Sequence, residues 1–124
     1  MLDAIETLEN CRFCLMCSHV APVGQITKKE ALTPHGVALL VTSQRRGLAE
    51  WNAETVDIVF SEVDGGNSRA HCVNSLPFEE AVAEVRADLV REGLANTAVR
   101  QTLARIKQYE TPYAQENTRP ATGN

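Results

Sequence analysis

Several things are scarce in this chain of 124 residues. Aromatic residues make up 5%, with a single Trp, which argues against an all-β sandwich or barrel. Long apolar runs are missing. The longest, Val37 to Val41 (VALLV), falls far short of the roughly 20 residues a membrane helix needs. Positive charge is also short, with 12 Lys and Arg against 16 Asp and Glu, a formal net charge of −4. The basic face that a nucleic-acid binder normally needs is therefore not expected. The N-terminal MLDAIETLENC is acidic and has no apolar core, so it does not read as a signal peptide, and a cytoplasmic location is expected. What remains is ordinary for a globular chain: 44% hydrophobic and 23% charged. Such a length can bury roughly two-thirds of its unfolded surface, enough for one modest core.

The spacing of apolar residues points to helix in most places. Leu2, Ile5 and Leu8 make a short amphipathic turn ahead of the first cysteine. Pro22 to Leu32 shows no period and reads as loop. Thr33 offers an N-cap oxygen, Pro34 suits the first helical position, and Val37, Leu40 and Val41 follow at helical spacing, with Gly47 as the stop. Trp51 to Phe60 favours helix, though a short strand also fits its Ile-Val-Phe. Asp64 to Ser68 is the strongest loop signal. Phe78, Ala81, Val82, Val85 and Leu89 mark the clearest helix, closed by Gly93. Asn96 caps another, carried by Val99, Leu103 and Ile106. From Thr111 the chain turns polar and aperiodic. The expectation is an all-α domain over residues 1–110 with four or five short helices, and an extended or disordered tail over 111–124.

Four cysteines carry the chemistry. Cys11, Cys14 and Cys17 stand at spacings of two, and Cys72 is distant. Without an export signal, metal binding is a better reading than a disulfide framework. Zinc sites commonly draw two cysteines from each of two knuckles, whereas a cubane cluster can take three thiolates from one C-x2-C-x2-C turn. The ferredoxin run is C-x2-C-x2-C-x3-C-P, and its fourth cysteine serves the other cluster of a pair. Here Pro22 keeps the proline position, but Ala21 stands where that fourth cysteine would be. With Cys72 taken as the last cysteine of a second run, its three earlier positions are Glu62, Gly65 and Ser68. The thiolates of a second cluster are absent together. Cys11, Cys14, Cys17 and Cys72 remain as a full set for one 4Fe–4S cluster.

The segment CRFCLMCSHVAPVGQITKKEALTPHGVALL resembles the helical ferredoxin domain of glycolate-oxidase and heterodisulfide-reductase-type iron–sulfur subunits. Thr33-Pro34-His35-Gly36 is similar to the Ser/Thr-Pro-Arg-Gly that opens a helix in that family, with His35 in place of the usual Arg. Cys72 and the following helix match the place of the second run, and Thr111-Pro112-Tyr113 is similar to its closing element. The resemblance spans roughly residues 8 to 113. The departures are His35, the single cysteine left in the second run, and Val73 where Pro follows that cysteine. The resemblance implies a non-catalytic electron-transfer subunit of a hetero-oligomer. Its partners would be an FAD-containing flavoprotein dehydrogenase subunit, acting on a 2-hydroxy acid or related substrate, and a cysteine-rich redox subunit.

Other readings stay open at this point. Structural zinc could use the three clustered cysteines with His19 or His71, giving an assembly module without redox function. Cys72 could be a buried thiol, which leaves a cluster with an open iron. The radical-enzyme spacing C-x3-C-x2-C is not matched.

Overall fold

A computed structural model describes residues 4–63 and 65–113. Among them lie seven α-helices and two 3₁₀ turns, and no strand. The all-α expectation holds. The helices are α1 (Ala4–Leu8), α2 (Pro22–Thr27), α3 (Pro34–Arg45), α4 (Ala53–Ser61), α5 (Asn67–His71), α6 (Phe78–Arg91) and α7 (Thr97–Tyr109); the 3₁₀ turns are Met16–Val20 and Glu30–Leu32. The chain divides after Leu94 into two compact units, with α7 in the second. The end of the expected tail, residues 114–124, lies outside the described residues, as do Leu2 and Asp64.

The core of the first unit draws on four of its helices, α1, α3, α4 and α6. Helix α6 buries Phe78, Ala81, Val82, Val85 and Leu89, which fall on one face at the helical period. Helix α3 adds Val37, Ala38 and Val41, α4 adds Val56 and Val59, and α1 adds Leu8. Each fully buried Val, Leu or Phe contributes about 1.5–3 kcal/mol, so the α6 stripe outweighs any single cap or ion pair in the molecule. Helix α1 packs on both α6 and α3, and α4 on both α6 and α3.

Caps fix where these helices begin. Asn52 and Thr55 form a reciprocal box at α4: Thr55 N–H donates to Asn52 Oδ1 at 2.9 Å, and Asn52 N–H donates to Thr55 Oγ1 at 2.9 Å. This start, and the burial of Val56 and Val59 at helical spacing, decide helix over strand at Trp51–Phe60. Thr33 caps α3, accepting from Gly36 N–H, with Pro34 at the first helical position.

Two sequence expectations fail. Pro22–Leu32 is not loop. Pro22 starts α2, and Lys28 ends it in a left-handed conformation with φ 58°. The helix is one and a half turns long, too short for a hydrophobic period to register. The expected loop at 64–68 ends early, because Gly66, at φ +94°, lets the chain enter α5 at Asn67. These short elements raise the helix count above the four or five expected.

In the second unit, α7 is capped by Asn96, whose Oδ1 accepts from Val99 N–H at 2.9 Å, and ends at Glu110 in a left-handed conformation. Its expected apolar positions, Val99, Leu103 and Ile106, share one face, and no residue of the helix is fully buried.

Candidate metal centre

The first cysteine segment leaves α1 through a tightened end. Asn10 N–H donates to Thr7 O at 3.0 Å and Cys11 N–H to Leu8 O at 3.1 Å, while the Leu8 side chain is anchored in the core at 1% exposure. Beyond Cys11 the backbone turns twice through the left-handed region, at Phe13 (φ 53°) and Leu15 (φ 64°). Neither residue is glycine, and such a conformation costs about 1–2 kcal/mol at each. The strain flanks Cys14 and allows a seven-residue stretch to bring three cysteines to one side. Cys17 then sits in the 3₁₀ turn Met16–Val20, whose Ser18 carbonyl is held by Gln25 Nε2 at 2.7 Å.

Helix α5 packs against that 3₁₀ turn and delivers Cys72. Cys72 is the residue that ends α5, its N–H donating to Ser68 O at 2.8 Å. All four cysteines thereby line one cavity of about 30 Å³, room for one or two waters, together with Pro34, His35, Ser68, Leu76 and Phe78. Cys14 is exposed and the other three are half-buried, and none is in a disulfide.

The electrostatics of the cavity oppose a bare thiolate. Burial pushes the Cys11 thiol above its ordinary 9.0; the Phe13 amide, which donates to this sulfur, pulls it down, and negative charge at Cys72 and Cys14 pushes it up again. Burial likewise raises Cys17, against the pull of the His35 amide and its own, with Cys11 and Cys14 adding to the rise. The His35 amide belongs to the N-terminal turn of α3, an end that favours negative charge.

The loop before α3 accounts for that amide's placement. Thr33 Oγ1 donates to Glu30 O at 2.5 Å and lies 2.9 Å from His35 Nδ1. A Cβ on Gly36 would run into the Glu30 carbonyl oxygen and stand 2.9 Å from Ala31 Cα, so only glycine allows this close approach.

The structure thus brings together Cys11, Cys14, Cys17 and Cys72. It does not bring His19 or His71 to the cavity wall; both are exposed, and His71 Nδ1 faces Asn67 O at 3.2 Å. The histidine on the wall is His35. The sequence singled it out only as a departure from Arg, and Ser68 only as a non-cysteine position of the second run; nothing in the spacing marked Leu76 as a neighbour of the cysteines. Ala21 and Glu62, two of the positions of the missing second cluster, are each 1% exposed and packed within the fold. Among the described residues, no three His, Cys, Asp or Glu side chains are gathered closely enough to hold a single metal ion. No family model matches the chain, nor does any curated protein or solved structure. No helix among the described residues is long and apolar enough to cross a membrane.

Proposed function

We propose that Cys11, Cys14, Cys17 and Cys72 hold one 4Fe–4S cluster, and that the chain is a non-catalytic electron-transfer subunit of a larger flavin-dependent oxidoreductase. One observation carries the reading: Cys72, remote in sequence, lines the same cavity as the three clustered cysteines. Such a cluster accepts and returns single electrons. The chain's own residues do the rest. Four thiols give up protons to become ligands. The amides of Phe13 and His35 donate to the sulfurs of Cys11 and Cys17, which favours their negative charge. Pro34, Leu76 and Phe78 keep water from the inner wall. Metal binding would be coupled to folding, because the four ligands come from two distant segments of the chain.

The resemblance to helical ferredoxin domains supplies the partners in this proposal: an FAD dehydrogenase subunit acting on a small 2-hydroxy acid, and a cysteine-rich redox subunit. Anaerobically purified chain should be brown, with broad visible absorption that bleaches on reduction by dithionite as a paramagnetic signal appears. A colourless, zinc-containing protein would defeat the proposal.

A further inference from the structure

Cys72 stands at the head of a tight turn. Its carbonyl accepts from Ser75 N–H at 3.0 Å, closing Cys72–Ser75, and Ser75 takes the left-handed conformation at φ 50°. The link from Cys72 N–H to Ser68 ties the turn to α5 behind it. Asn74, the third residue of the turn, supplies a link in the other direction. Its side-chain Nδ2 donates to the carbonyl oxygen of Asn10 at 3.0 Å, across 64 positions of sequence. Asn10 immediately precedes Cys11 and lies just past the end of α1, where carbonyls have no helical amide to meet. The bond therefore joins the residue before the first cysteine to the turn that presents the last one. Asn74 also lines the cavity that the four cysteines share.

We propose that Asn74 is a positioning residue: its side-chain amide clasps the Cys72 turn to the Cys11 segment and so sets where the fourth thiol stands relative to the first. Its purpose rests on the cluster reading, but the clasp itself is a property of the metal-free chain. The chemistry requires an amide. Asp has the same shape, yet its carboxylate only accepts, and it would set negative oxygen against the Asn10 carbonyl. Asn74 is exposed and contributes nothing to the buried stripe of α6, so its replacement leaves the core intact.

The test compares two cross-links in the metal-free, reduced chain, made with a short bifunctional thiol reagent. One pair is Cys11–Cys72, in a Cys14→Ser, Cys17→Ser background. The other is Cys11–Cys17, in a Cys14→Ser, Cys72→Ser background. Asn74→Asp and Asn74→Ala should lower the Cys11–Cys72 yield about fivefold, the effect of one lost hydrogen bond, and leave the Cys11–Cys17 yield unchanged. In reconstituted chain with all four cysteines, Asn74→Asp should convert faster than wild type to a three-iron signal under mild oxidation. Equal Cys11–Cys72 yields in wild type and both variants would overturn the clasp. So would an equal fall in both cross-links, which would mean general loosening of the loop. If wild type takes up no iron and sulfide, the cluster reading fails by itself, and the cross-link yields still decide the clasp.

Discussion

Arg86 on α6 closes helix α4 by donating through Nε and Nη2 to the carbonyl oxygen of Val59, at 2.9 and 2.8 Å. The same Nη2 donates to the carbonyl of Glu62, and the guanidinium lies 5.9 Å from the centroid of the Phe60 ring. Burial lowers the Arg86 pKa, and the charge of Glu62, 1% exposed, opposes the fall. One side chain thus meets the last carbonyls of a helix and the charge of a buried carboxylate.

Arg86→Ala should cost about 2–4 kcal/mol, because it leaves α4 carbonyls unmet and takes a counter-charge from Glu62. Arg86→Lys should recover only part, since an ammonium cannot reproduce the fork of a guanidinium. Urea denaturation of the three proteins gives the order; equal midpoints would refute this role.

Gly36→Ala should destabilise the chain by about 1–3 kcal/mol, since the added methyl meets backbone that has no flexible end to yield. The same change should disturb the site, because the neighbouring His35 amide donates to Cys17. A thermal melt and the visible spectrum of reconstituted protein read the two effects; an unchanged melt would mean that the Glu30–Ala31 backbone shifts freely.

Most of the core was legible in the amino-acid sequence, and the short elements were not. The α6 stripe repeats over three turns, and Thr33-Pro34 and Asn96 announce their helices with a cap chemistry that needs no tertiary information. Helices α2 and α5, six and five residues long, exist because neighbours hold them, and so left no period to read. The candidate site divided the same way. Four cysteines are visible as letters, but His35, Ser68 and Asn74 reach the cavity only through the packing of α3 and α5 around the 3₁₀ turn.

Metal-free protein should lose stability in alkali. Burial raises the folded-state pKa of Cys11 and Cys17 above the ordinary 9.0, so the folded chain favours their neutral forms. The stability this contributes is complete below about pH 9 and is lost as pH rises through the raised values. Denaturation of reduced, metal-free chain from pH 7 to 11 should show the decline, and Cys11→Ser, Cys17→Ser protein should show less of it. Identical pH profiles would contradict the shifts.

Cys72→Ala should abolish the cluster or leave a three-iron form, since no other cysteine stands at the fourth place on the cavity wall. Folding of the reconstituted protein should weaken with it, because a cluster held by all four cysteines would cross-link two distant segments. Electron paramagnetic resonance of reconstituted variant and wild type makes the comparison; an unaltered four-iron signal in Cys72→Ala would remove Cys72 from the ligand set.

The most direct measurement is iron and acid-labile sulfide per chain in anaerobically reconstituted wild type. One cluster on Cys11, Cys14, Cys17 and Cys72 predicts about four irons and about four sulfides. Values near eight would contradict a single cluster, and bound zinc without sulfide would contradict the electron-transfer account.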